Sequence, residues 1–165
     1  WFATHDEPTK LIRSRQNTST ADEQLVTVDK SPLSRKSTIL LDKSHGFTRS
    51  GRTIINDRQI GLLFSRLNTI SSITIPGSNG LLHAMVANGG TKVAGSITGA
   101  LGGPWDVCGV LLVLQAGGYA KAFSVNNGIL EEKDPLDVES YDCLITATTE
   151  DTLEILINSL KESLQ

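Results

Sequence analysis

From Thr38 onward the sequence alternates short apolar runs with stretches whose apolar residues recur at helical spacing. That alternation restricts the chain to α/β folds more than any other feature. Thr38-Ile39-Leu40-Leu41-Asp42 is apolar enough for a buried strand, central and parallel. Ile60, Leu63, Phe64 and Leu67 then mark a helix that Asn56 or Asp57 can cap. Ser72 to Ile75 reads as a strand ended by Pro76-Gly77, and Ser78 or Asn79 caps a second helix carrying Leu81, Leu82, Met85 and Val86. Asn88-Gly89-Gly90 stops it. Lys92 to Thr98 is a strand, and a Gly-rich loop leads into a helix from about Pro104 to Ala116, stopped by Gly117-Gly118. Tyr119 to Val125 and Asp142 to Ala147 are strands, with a turn at Asn126-Asn127-Gly128. Thr148 or Thr149 caps a last helix, Glu150 to Leu164. The order predicts a mostly parallel or mixed sheet covered by helices.

The remaining segments are less regular. Trp1 to Pro8 can hold the end of a strand, Leu11 to Glu23 reads as loop, and Leu25 to Val28 as a short strand. Ser31 to Ser34 is a turn, and Glu131 to Tyr141 an acidic loop. Residues 1–37 thus form a loop-rich lead-in with short strands, and 38–165 an α/β domain. The 165 residues suffice for one domain with its own core. With 39% apolar residues and a net charge of −3, the composition points away from disorder. The basic residues are scattered, so no nucleic-acid partner is expected. The longest apolar run, Val107 to Ala120, is broken by Gly and Gln and too short for a bilayer, so no membrane partner is expected. Cys108 and Cys143 lie far apart and form no CxxC pair; buried free thiols in the cytoplasm or another reducing compartment are expected. The first residue is Trp, with no charged and apolar leader after it, so the chain is expected to begin inside a longer protein.

Two helix starts are rich in small residues: Gly77-Ser78-Asn79-Gly80 and Gly102-Gly103-Pro104-Trp105-Asp106. Both follow strands, where α/β proteins collect ligands and helix N-termini favour anions. Pro104 can open a helix and place Asp106 in its first turn, beside free backbone N–H groups. Asp106 can serve there as a structural cap or as one corner of a metal and phosphate site. His83, among apolar residues, is expected to be a hydrogen-bonded core histidine. Asp134-Pro135-Leu136-Asp137 reads as a solvated acidic turn. No Ser/His/Asp set follows from the spacings.

Pro76-Gly77-Ser78-Asn79, Ala87-Asn88-Gly89-Gly90, Trp105-Asp106-Val107 and Gln115-Ala116-Gly117-Gly118 occur in the order and spacing of the second signature region of the inositol monophosphatase family. The stretch from Ile73 to Gly118 resembles the carboxy-terminal half of that family, within the lithium-sensitive, magnesium-dependent phosphatase superfamily. Weaker likeness runs from Thr38 to Gln165. The resemblance implies a layered mixed sheet with covering helices, the carboxy-terminal portion of an αβαβα sandwich, with residues 1–37 joining the sheet of an amino-terminal half. It implies a Mg²⁺ ligand at Asp106 and substrate contacts at Gly77, Ser78 and Asn79. The family's other ligands come from its amino-terminal half, in a Glu-Glu element and an Asp-Pro-hydrophobic-Asp-Gly-Thr motif; that motif does not occur here, and Asp134-Pro135-Leu136-Asp137, which copies its first four residues, is followed by Val138-Glu139 and lies after Asp106. Thr74 or Ile75 stands where a basic residue often lies, and Gly99 where an acidic residue often grips a sugar hydroxyl, so inositol phosphate is a poor substrate choice. No complete catalytic set is therefore expected in this chain alone. Its expected partners are an amino-terminal fragment of the same protein or a related subunit, a small phosphorylated metabolite, and a second copy in a homodimer. A degenerate relative serving as a binding or assembly subunit is the alternative. A small α/β domain that binds an anion at the two helix starts is a third reading.

Overall fold

The computed structural model describes residues 2–4, 7–14, 21–42, 48–49, 52–99 and 107–165. Strands β1 (Phe2–Thr4), β2 (Glu7–Ser14) and β3 (Ala21–Leu25) form an antiparallel three-stranded sheet of their own. The loop expected over Leu11 to Glu23 is thus mostly strand. Its polar composition hid a pairing that the neighbouring strand imposes, as in Leu11 opposite Gln24. The strand expected over Leu25 to Val28 ends at Leu25. Beyond it the two-residue alternation persists in burial, with Val26 and Val28 buried and Thr27 exposed. Val28 N–H donates to the Ala116 carbonyl at 3.0 Å.

The chain continues through β4 (Thr38–Leu41), a two-residue pair β5 (Thr48–Arg49) and β6 (Arg52–Thr53), α1 (Asp57–Ile70), β7 (Ser72–Thr74) and α2 (Asn79–Ala87). A 3₁₀ turn (Gly89–Thr91), β8 (Val93–Gly99), α3 (Val107–Gln115), β9 (Tyr119–Asn126), β10 (Ile129–Lys133), β11 (Cys143–Ala147) and α4 (Glu150–Ser163) complete it. Strand β10 occupies the start of the stretch expected as an acidic loop, because the turn at Asn126-Asn127-Gly128 folds it back onto β9. Asn127 and Gly128 both take positive φ there, which matches hairpin twist.

Six strands form the main sheet in the order β10-β9-β11-β8-β4-β7. Strand β4 pairs in parallel with β7 and β8, whereas β11 lies antiparallel between β8 and β9. The sheet is mixed, and β4 is interior and parallel. Every residue of β8 and β11 is buried, as expected of strands covered on both faces.

Helix sequence decides the layering. Helices α1 and α4 carry apolar residues on one stripe and pack together over one face. Their Leu63, Leu67, Leu153, Leu156 and Leu160 meet Ile39, Leu41, Ile97 and Ile145 in one core. Asn56 caps α1 through a reciprocal bond with Gln59, and the Thr149 hydroxyl caps α4 by accepting from Thr152 N. Helix α3 reads Val-Cys-Gly-Val-Leu-Leu-Val-Leu-Gln and is apolar nearly all round. A helix of that kind requires cover on two sides. It receives the main sheet on one side and packs against β1 and β2 as well. With α2 it buries Leu40, Leu82, Val86, Leu112 and Val113. Each such side chain contributes about 1.5–3 kcal/mol of transfer free energy.

The two helices approach closely at Gly109, where an added Cβ would lie 2.8 Å from His83 Cβ. Cys143 is buried as expected, but Cys108 is exposed. It follows Val107 at the start of α3, off the stripe carried by Gly109, Val110 and Val113.

Candidate functional site

The connection leaving β4 leads to α1 on one face of the main sheet, and the connection leaving β8 leads to α3 on the other. Strands β4 and β8 are adjacent and parallel. Their carboxyl ends therefore flank a topological switch point, the place where open α/β sheets form a ligand crevice. Asp42 follows β4 on this edge, Gly99 ends β8, and the segment Ile75-Pro76-Gly77-Ser78 leaves the neighbouring strand β7 there.

The expected site residues distribute as follows. Gly77 adopts a left-handed φ of 74° between β7 and α2, a conformation that favours glycine. Ser78 is the N-cap of α2, and its carbonyl accepts from Leu82 N at 3.0 Å. Its side chain makes no capping bond, so the expected hydroxyl cap is absent and α2 begins without one. Gly77 and Ser78 are both exposed. Asn79 is the first residue of α2; its side chain lies outside the described part. Asp106, with the segment Gly102 to Trp105, lies outside the described residues. It immediately precedes Val107, the first residue of α3. Among the described residues no three His, Cys, Asp or Glu groups converge to hold a metal ion.

Asp42 is the residue that sequence reasoning did not single out. It is only 3% exposed, and its N–H donates to the Ile97 carbonyl at 3.0 Å, which ties it to β8. Its place at the end of an apolar run was legible, but its position at the switch point depends on β4 and β8 being neighbours. Behind it runs a buried polar chain. Fully buried His83 on α2 contacts Thr146 Oγ1 through Nδ1 at 3.3 Å, and Thr146 Oγ1 shares a 2.7 Å bond with Ser96 Oγ. Burial pushes the His83 imidazole down to about 4, although the Asp42 charge pulls the other way. His83 is thus a neutral, hydrogen-bonded core histidine, as expected. Burial, with the Asp142 charge, pushes the Cys143 thiol up to about 12, so it is inert at neutral pH.

No protein-family profile matches the sequence, and no curated protein matches it. Solved structures do match. The Thermotoga maritima IMPase is 17% identical, with a TM-score of 0.58, over 94% of this chain and 54% of its own. The inositol monophosphatase of Anabaena (Nostoc) is 23% identical, with a TM-score of 0.58, over 90% and 55%. SaIMPase-II, solved with 2′AMP bound, is 20% identical, with a TM-score of 0.58, over 94% and 54%. The chain spans about half the length of these structures. The sequence resemblance therefore holds at the level of three-dimensional structure: this chain has the inositol monophosphatase fold over about half of that fold's length.

Proposed function

We propose that the chain is the carboxy-terminal part of a Mg²⁺-dependent phosphomonoesterase acting on a small sugar-, polyol- or nucleotide-type phosphate, inactive until an amino-terminal half completes it. The observation that carries this reading is the match of at least nine-tenths of the chain to about half of several inositol monophosphatases. Trp105-Asp106, which lies in sequence between β8 and α3, supports the reading as part of the family's signature. The 2′AMP bound to SaIMPase-II supports a nucleotide-type substrate among the choices. Free Cys143 and exposed Cys108 suit a reducing compartment such as the cytoplasm.

The donor chemistry fits Mg²⁺ in kind but not in number. Mg²⁺ requires about six oxygen ligands, and Asp106 offers one carboxylate. The remaining protein ligands would come from the amino-terminal half. When bound, the ion would polarise the phosphoryl group and acidify a water. What this chain itself supplies is the Gly77 turn, which lets a ligand approach the backbone, and the start of α2, whose free N–H groups favour an anion.

The test reunites the chain with the segment preceding Trp1 in its parent protein and measures Mg²⁺-dependent phosphate release from a panel of sugar, polyol and nucleotide phosphates. Asp106→Asn should lower the rate about 100-fold or more while circular dichroism stays unchanged. Unchanged activity, or a parent gene with no Asp-Pro-x-Asp-Gly-Thr motif upstream, rejects the reading. Gly99, which brings no side chain to the end of β8, favours a second reading: a non-catalytic assembly subunit. That reading expects a stable complex with no phosphate release.

A further inference from the structure

Between β3 and β4, residues 26–30 form neither strand nor helix, yet they are tied down along their whole length. Val26 and Val28 are buried, and Val28 joins the core that α2 and α3 share. Val28 N–H donates to the Ala116 carbonyl at 3.0 Å, and Gly89 N–H donates to the Thr27 carbonyl at 3.1 Å. Lys30 Nζ donates to the Thr148 carbonyl at 3.1 Å and to the Gly117 carbonyl, and lies 5.0 Å from the Tyr119 ring centroid.

Three observations make this segment more than a connection. First, it completes the carboxyl end of α3. Gly117, at a φ of 83°, turns the chain out of the helix, and Gly118 N–H donates back to the Val113 carbonyl at 2.8 Å. The Ala116 and Gly117 carbonyls lie beyond that closure, and Val28 N–H and the Lys30 ammonium satisfy them. A cation also suits the negative end of a helix. Second, its seat has no room for a side chain. A Cβ added at Gly89 would lie 2.7 Å from the Thr27 carbonyl oxygen and 2.8 Å from Asp29 N. Both are backbone atoms of the segment, so a side chain at 89 lifts it. Third, the contacts that fasten its far end converge on one exposed side chain, Lys30.

What the segment holds is the three-stranded sheet. Strand β3 ends at Leu25, directly before it, and β1 and β2 pack against α3. A sheet this small needs such cover to persist.

We propose that residues 26–30 are a clasp that seats the three-stranded sheet on α3 and opens as one unit, with Lys30 as its latch. Opening uncouples β1, β2 and β3 from the rest of the chain, while the core between the main sheet and helices α1 and α4 stays closed. The clasp uses no group of the switch-point crevice, so it stands or falls independently of the phosphatase reading.

The test is native-state amide exchange of the full chain, read residue by residue by NMR. Lys30→Met keeps the aliphatic stem and removes the ammonium. It should speed exchange of the Val28 and Gly89 amides about tenfold or more, by matching factors. The amides paired between β2 and β3 should accelerate with them, and those paired between β8 and β11 should not. Gly89→Ala attacks the clasp from its seat and should accelerate the Val28 amide and the β2 and β3 amides in the same way. Unchanged exchange at Val28 and Gly89 in Lys30→Met, or a change at one of them alone, overturns the proposal. So does unchanged exchange between β2 and β3, or equal acceleration between β8 and β11.

Discussion

His83 carries the clearest pH signature in the molecule. Its imidazole is fully buried and is pushed down to about 4 by loss of solvent, against an ordinary value of 6.5. Between those two values the unfolded chain binds a proton that the folded chain refuses. Stability is therefore complete above about pH 6.5 and falls as the pH drops through about 4, by about 3 kcal/mol in all. Urea unfolding at pH 7 and at pH 4.5 should show most of that loss. His83→Met, which fills the volume without titrating, should flatten this part of the profile. An equally steep profile in the variant would assign the effect to other groups. The contacts of His83 with Thr146 were not readable from the sequence, because residues 83 and 146 meet only once α2 has crossed the sheet.

At the scale of elements, the contact between α2 and α3 depends on one missing side chain. Gly109→Ala would place a Cβ 2.8 Å from His83 Cβ and 3.1 Å from its ring. Neither helix can yield easily, since both are clamped on the main sheet, so a loss of about 1–3 kcal/mol is expected in chemical denaturation. Thr149→Ala removes the hydroxyl that caps α4 and should cost about 1 kcal/mol, read in the same way. Elements whose own residues demand burial were legible in the sequence. Strands β4 and β11 are apolar runs, and α1 and α4 show their stripes and caps at Asn56 and Thr149. Strands β2 and β10 were not legible. Glu-Pro-Thr-Lys-Leu-Ile-Arg-Ser and Ile-Leu-Glu-Glu-Lys are mixed in composition, and the neighbouring strands that supply their hydrogen bonds are not visible in a local pattern. The site divides on the same line. The left-handed turn at Gly77 could be read from Pro76-Gly77, whereas Asp42 gained its place from the order of strands.

For the whole molecule, the layer formed by α2 and α3 is the telling one. Leu81 on α2 is 52% exposed and Leu114 on α3 is 37% exposed, although both helices are apolar through most of their length. Under the proposed reading these side chains meet the amino-terminal half. Hydrogen exchange should then show new protection in α2 and α3 when that half is added. Leu81→Asp with Leu114→Asp should weaken the complex without destabilising this chain, as analytical ultracentrifugation and thermal melts would report. Unchanged exchange would place the partner elsewhere.

The two margins of the main sheet have a consequence for how the molecule can associate. Strand β7 is three residues long, and β10 ends in Glu131-Glu132-Lys133. A short rim on one side and a charged rim on the other give an incoming strand little to zip onto. Runaway polymerisation strand by strand through the main sheet is thus discouraged.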